Sequence, residues 1–90
     1  MNISGIVVRA RPEKLDEVRM ALDRLDGVEV HAANAEGKLV VTVEAAGERQ
    51  LADRVLGIES VPGVLAASLV YHQYEDDGRL DEMVEQEAEL

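Results

Sequence analysis

Four short runs rich in Val, Ile and Ala stand out along the chain, separated by polar or turn-forming residues. Val and Ile favour extended backbone, so each run predicts a β-strand. The predicted strands are Ile3–Ala10, Val28–Ala33, Lys38–Ala45 and about Val64–Tyr74. Asn34–Gly37 separates the second from the third strand and is typical of a hairpin turn.

Two further segments place apolar residues at the spacing of one helical face, with charged residues mostly elsewhere. The stripes are Leu15, Val18, Leu22 and Leu25 in the first segment and Leu51, Val55 and Ile58 in the second. Pro12 suits the first turn of the first helix, and Gly47 precedes the second. The order of elements is therefore strand, helix, strand, strand, helix, strand.

This order predicts an α+β, ferredoxin-like βαββαβ sandwich, because two right-handed βαβ units can interleave their strands in one sheet. We expect a four-stranded antiparallel sheet in the order 4-1-3-2, with both helices on one face. The sheet and helices form one domain over residues 1–74. Residues 75–90 are expected to form a flexible acidic tail.

The faces of the strands follow from their alternation. In the second strand Val28 and Val30 face the helices, because Glu29 between them is charged. The chain repeats itself at an offset of 36 residues, which lays Val28 on Val64. Val64 and every second residue after it are thus predicted to face the helices. We call the other side of the sheet the distal face; its predicted residues are Val7, Arg9, Glu29, Val40, Thr42, Glu44, Leu65, Ala67, Leu69 and Tyr71.

The distal face is expected to lack a covering element, and it combines apolar with charged residues. Proteins seldom leave such a surface unused, so the distal face is predicted to be a contact surface. From the residues alone, self-association and the binding of another molecule are equally favoured. Arg9 either pairs with Glu44 on the adjacent strand or repels cations and so sets the direction of a bound peptide.

Charge narrows the class of partner. The 90 residues carry a net charge of −10 and no cysteine. The tail holds eight acidic residues against Arg79 alone, so it contributes −7. This balance speaks against nucleic acid and favours a basic partner. No uncharged stretch is long enough for a membrane span, and the first residues do not resemble a signal peptide, so a cytoplasmic protein is expected.

Catalytic chemistry has no visible basis in the sequence. His31 and His72 lack partners at metal-ligand spacing and are predicted to be ordinary surface residues of strands. There is no thiol, no nucleophile elbow and no phosphate-binding loop. The sequence therefore predicts a binding protein with no cofactor, not an enzyme.

The stretch from Gly63 to Gln73, with the sequence Gly-Val-Leu-Ala-Ala-Ser-Leu-Val-Tyr-His-Gln, resembles the last strand of the NapD family. Ser4–Val8, Gly27–Val30 and Gly37–Glu44 are similar to other parts of the same family. The resemblance covers nearly all of residues 3–74, and its most specific part ends in Tyr71-His72-Gln73. The tail matches only in being acidic.

The resemblance implies a ferredoxin-like, non-enzymatic cytoplasmic chaperone. Its implied partner is the twin-arginine signal peptide of the periplasmic nitrate reductase catalytic subunit. Its implied role is to delay export until the molybdenum cofactor and the iron–sulfur cluster are inserted. We expect a monomer or weak dimer that binds the peptide as a helix on the distal face; pairing of the peptide with an edge strand is the other mode.

The main alternative is a dimeric ferredoxin-like regulatory domain that binds a small ligand at a sheet-face interface. Light scattering after size-exclusion chromatography distinguishes the two hypotheses. An enzyme of the acylphosphatase type is a weaker alternative, because Arg9-Ala10-Arg11-Pro12 with Asn34 is a poor match to its arginine–asparagine site.

Overall fold

The computed structural model describes the backbone of residues 2–73 and the side chains of residues 2–70. Its elements are β1 (Asn2–Ala10), a 3-10 turn (Pro12–Lys14), α1 (Leu15–Asp23), β2 (Val28–Ala33), β3 (Lys38–Ala45), α2 (Glu48–Glu59) and β4 (Val64–Gln73). The predicted strands and helices are all present, and β2 and β3 have the predicted bounds. Tyr74 and the predicted acidic tail, residues 75–90, lie outside the described residues.

The four strands form one antiparallel sheet in the order β2-β3-β1-β4. This is the predicted order 4-1-3-2 read from the other edge, and it confirms the ferredoxin-like fold. β1 and β3 are central, whereas β2 and β4 are the sheet edges. No helix within residues 2–73 is long and apolar enough to cross a membrane.

The core lies between the sheet and the two helices. Val18 and Leu22 of α1 and Ile58 of α2 are fully buried against alternate residues of the strands. The strand residues of the core are Ile6, Val8, Ala10, Val28, Leu39, Val41 and Val43. Leu15, Leu25, Leu51 and Val55 pack against this core while keeping some exposure, so both predicted helical stripes face the sheet. Burying one such Leu or Ile side chain contributes about 1.5–3 kcal/mol.

Arg54 joins α2 to the α1–β2 turn and to the end of β3. Its Nη1 donates to the backbone oxygens of Asp26 and Glu44, both at 2.9 Å. Gly27 lies in the left-handed region, with φ of +74°, and a side chain there would collide with the Arg54 guanidinium. Glu44 N also donates to Gly27 O at 2.8 Å. These contacts fix the α1–β2 turn against the end of β3.

Candidate functional site

The two central strands place their predicted residues on the distal face. Val7 pairs with Val40, and Arg9 pairs with Lys38, in the β1–β3 register. Since Ile6, Val8, Leu39 and Val41 belong to the core, their neighbours in sequence face away from the helices. Val7, Arg9, Val40, Thr42 and Glu44 therefore share the distal face, and Glu29 joins them opposite Thr42.

The edge strand β4 departs from the prediction. Ala67 lies opposite Val8 and Leu69 opposite Ile6, and both partners are core residues. Because cross-strand partners share a face, Ala67 and Leu69 lie on the helix side, and their predicted place on the distal face is wrong. Ala66, opposite Arg9, and Ser68, opposite Val7, lie on the distal face instead.

Two irregularities of register in β4 explain the error. The first, between Arg9 and Ala10, leaves Leu65 as an extra residue without a register partner. Val64 keeps its predicted side, but residues 66–69 are inverted. The second leaves Val70 as the extra residue, and beyond it the backbone of Tyr71 lies opposite Gly5. The side chain of Tyr71 lies outside the described residues.

The centre of the distal face is more buried than predicted. Val40 is only 1% exposed and Thr42 only 4%, and Val7 is also buried. In the described part of the chain, both helices lie on the opposite side of the sheet.

An acidic cleft of about 420 Å³ opens at one end of the distal face. Its lining residues are Asp23, Gly27, Val28, Glu29, Thr42 and Glu44. The side chains of Glu29 and Glu44 are exposed, and the cleft-lining residues among those that the structure describes include no lysine, arginine or histidine. Three carboxylates on one cleft favour a cationic group, above all a guanidinium, which bonds carboxylates in a bidentate manner.

The opposite end of the distal face is basic. Arg9 and Lys38 are direct cross-strand partners, whereas Glu44 lies opposite Ile3, six residues along β3 from Lys38. Of the two alternatives for Arg9, the pairing with Glu44 is therefore wrong, because about 20 Å of strand separates them. Lys38 is only 7% exposed, and no ion pair involves its ammonium group within the described residues.

His31 is less of a surface residue than predicted. Its Nε2 lies 2.7 Å from Thr42 Oγ1 and 3.4 Å from Glu29 Oε2, and its side chain is 20% exposed. β2 has an irregularity of register between Val30 and Ala32, so His31 has no register partner of its own. The imidazole thus links the edge strand to the distal face of β3.

Sequence reasoning missed Asp23, Ala66 and Ser68. Asp23 ends α1 and was indistinguishable from the other solvated carboxylates of that helix; only the fold brings it to the cleft. The 36-residue repeat carries no sign of the bulge and therefore predicts Ala66 and Ser68 on the helix side. Within the side chains described, no group of three His, Asp or Glu could hold a metal ion.

Comparison with known proteins gives one consistent family. Residues 1–76 match the family model described as NapD protein. The chaperone NapD of Escherichia coli is 38% identical over 77 residues, which cover 84% of this chain and 88% of that protein. The chaperone NapD of Haemophilus influenzae is 25% identical over 79 residues, 87% of this chain and 85% of that protein.

Solved structures agree in fold. The solution structure of the Escherichia coli Tat proofreading chaperone protein NapD matches with a TM-score of 0.74 and 38% identity, covering 84% of this chain and 81% of that one. A crystal structure of a Thermus thermophilus protein matches with a TM-score of 0.69 and 26% identity, covering 84% of this chain and all of the other. The named relatives are chaperones, which does not favour the ligand-binding regulatory domain.

Proposed function

The chain belongs to the NapD family and is a chaperone, not an enzyme; from that premise we propose what it binds and where. The proposed ligand is the twin-arginine signal peptide of the periplasmic nitrate reductase catalytic subunit. The chaperone binds this segment in the cytoplasm and delays export until the cofactors of the reductase are inserted.

The acidic cleft beside an apolar sheet centre carries this proposal. A twin-arginine signal peptide has a basic segment followed by an apolar one. The distal face and the cleft at its end have the same division, since Asp23, Glu29 and Glu44 line the cleft and Val7 and Val40 lie at the centre of the sheet. Ionised carboxylates at the cleft both attract the arginines and form charge-assisted hydrogen bonds with them.

The corrected register changes the β4 contribution to the proposed site. Ala67 and Leu69 no longer belong to it, and Ala66 and Ser68 replace them. Leu65 is exposed and, as the bulge residue, has no register partner that assigns it to either face. Small residues on the distal face leave room for a helix to lie close to the sheet. We therefore keep the mode in which the peptide binds as an amphipathic helix across the distal face.

Calorimetric titration of the full chain with a synthetic signal peptide tests the proposal. A peptide with both arginines replaced by lysine should bind more weakly at equal charge, because an ammonium group cannot make the bidentate contact. Raising the salt concentration should weaken both complexes, since the cleft carboxylates are exposed. Equal affinity for the two peptides would contradict a specific guanidinium site.

A matched pair of variants locates the site. Glu44→Gln removes one negative charge from the cleft, and Glu36→Gln removes one from the β2–β3 turn at the basic end of the sheet. We expect about a tenfold loss of affinity, about 1.4 kcal/mol, for the first variant and almost none for the second. Equal losses would show that only net charge matters, which would exclude the cleft as the arginine site.

A further inference from the structure

The internal repeat relates two turns of the molecule. The offset of 36 residues lays Gly27, in the turn between α1 and β2, on Gly63, in the turn between α2 and β4. Glu44 N, in β3, donates to Gly27 O at 2.8 Å. Arg11 N, directly after β1, donates to Gly63 O at 2.9 Å. Each turn is therefore held by the same kind of backbone bond to the end of a central strand.

The helix residue that packs beneath each turn differs between the two halves. The same offset lays Val18 of α1 on Arg54 of α2. Val18 is fully buried and would contact any side chain at Gly63. Arg54 would collide with any side chain at Gly27. Since an apolar residue suffices beneath one turn, the fold by itself does not require an arginine beneath the other.

The bonds of Arg54 join the two walls of the acidic cleft. Its Nη1 donates to Asp26 O, directly before the cleft residue Gly27, and to Glu44 O, each at 2.9 Å. Asp23 lies on the wall that α1 and its turn form, and Glu44 lies on the wall that β3 forms. Arg54 therefore fixes the spacing of the backbone segments that carry these two carboxylates.

We propose that Arg54 is a positioning residue that makes the acidic cleft prefer guanidinium to ammonium groups. The proposal rests on the proposed function, because it concerns the arginine site of the signal peptide. A guanidinium holds its donors in a rigid fork, so it binds best where the acceptors have a fixed spacing. An ammonium group is a compact point charge on a flexible stem and depends less on that spacing. Arg54 thus acts through the backbone of the two walls, without touching the peptide.

Arg54→Met in the full chain tests the proposal. Methionine keeps an unbranched stem at this helix position but cannot donate to the two carbonyl oxygens. We expect the affinity for the twin-arginine peptide to fall about tenfold and that for the twin-lysine peptide to change less than about twofold. Loss of a cation beside the cleft would by charge alone strengthen the binding of both peptides. A loss confined to the arginine peptide in calorimetric titrations therefore reports the geometry of the cleft.

Two variants on the same helix are the controls. Arg49→Met removes the same charge from an exposed position and should leave the ratio of the two affinities unchanged. Arg54→Lys retains a donor and should give a ratio between those of Arg54→Met and the unaltered chain. Circular dichroism melts establish that each variant is folded. If Arg54→Met does not fold, Arg54→Lys decides alone, and an unchanged ratio in that variant overturns the proposal.

Amide hydrogen exchange tests the positioning without any peptide. The Glu44 amide bonds Gly27 O beside the contacts of Arg54, and the Arg11 amide makes the corresponding bond in the other half of the repeat. Arg54→Met should speed exchange of the Glu44 amide several-fold and leave that of the Arg11 amide unchanged. Equal acceleration of both amides would indicate a general loss of stability and overturn the positioning role.

The titrations separate this inference from the proposed function. If the unaltered chain binds the arginine and lysine peptides equally, the proposed guanidinium site fails, and the selectivity assigned to Arg54 fails with it. If the unaltered chain prefers the arginine peptide and Arg54→Met keeps that preference, only the inference fails. Equal losses for both peptides in Arg54→Met would also overturn it, because they would show a structural role without selectivity.

Discussion

β3 and β4 contain similar residues, but only β3 has a sequence that fixes its faces. In β3 the core residues Leu39, Val41 and Val43 alternate with residues that include the polar Thr42 and Glu44, so the polar residues mark the distal side. In β4 the run from Val64 to Val70 contains one polar residue, Ser68, and nothing in it opposes a shift of one position. The difference shows that the polar residues of a strand, and not its apolar ones, indicate which side chains face away from the helices.

β3 and β4 also differ in their bulges. β3 is paired on both sides and keeps an unbroken register with β1, whereas β4 is an edge strand with two irregularities against β1. Edge strands tolerate bulges because they lack a second partner whose hydrogen bonds would also be broken. A one-residue slip then moves every following side chain to the other face.

The largest expected effect comes from introducing the same charge on the helix side of both strands. Val41→Asp places an unpaired carboxylate in a fully buried site, and we expect a loss of about 3–5 kcal/mol or no folded domain at all. Leu69→Asp also lies on the helix side but is 56% exposed, so its cost should stay within about 1 kcal/mol. Circular dichroism melts of both variants measure the difference. Comparable melting temperatures for the two would contradict this picture of the core.

Two adjacent alanines test the β4 register itself. Ala67 packs against the core, whereas Ala66 is exposed on the distal face opposite Arg9. Ala67→Asp should destabilise the domain by about 2 kcal/mol, and Ala66→Asp should change stability by no more than about 0.5 kcal/mol. Urea denaturation of the two variants provides the values. A larger loss of stability for Ala66→Asp than for Ala67→Asp would place both residues on the faces that the repeat predicts, and would contradict the bulge at Leu65.

The fold was predictable because its signals are redundant. The helical stripes, the Asn34–Gly37 turn and the internal repeat all indicate the same order of elements, and right-handed crossovers leave one simple way to interleave the strands. Asn34 Oδ1 accepts from the backbone nitrogens of Glu36 and Lys38 at 3.0 and 3.1 Å, which is the local chemistry that the turn prediction rests on. The helical stripes and the turn are short-range signals, so the sequence contains each of them in full.

The candidate site was only partly predictable because it depends on register and on distance. Glu29 and Glu44 could be placed on the distal face by alternation, but Asp23 joins them only through the packing of α1 beside β2. The Arg9–Glu44 pair, one of the two alternatives for Arg9, is wrong for the same reason. The shared face was correctly inferred, but the offset between β1 and β3 that puts Lys38 opposite Arg9 was not. No local pattern contains that offset.

A binding experiment extends the comparison to the next two residues of β4. Ser68→Arg places a cation on the distal face opposite Val7, and Leu69→Arg places one on the helix side. Both residues are exposed, so both variants should fold. We expect Ser68→Arg to weaken signal-peptide binding about tenfold, which is about 1.4 kcal/mol, through repulsion of the basic peptide. Leu69→Arg should bind like the unaltered chain, and a stronger effect at Leu69 would place the peptide on the other side of the sheet.

The smallest expected effect is a loss of stability at the other edge strand, β2. This strand also has a bulge, but Glu29 lies on its predicted face. His31 has no register partner, yet its Nε2 bonds Thr42 Oγ1 at 2.7 Å and so keeps the end of β2 attached to the distal side of β3. Thr42→Val removes the hydroxyl at nearly constant volume and leaves a largely buried imidazole with one bond fewer. The expected loss of stability is about 1 kcal/mol, the usual net value of such a hydrogen bond. Thr42→Ser retains the oxygen and should lose less, because only one methyl group is removed. Chemical denaturation of the two variants decides whether the bond holds the edge: if Thr42→Val is as stable as the unaltered chain, β2 is held by its backbone ladder alone and His31 is the surface residue that its sequence suggested.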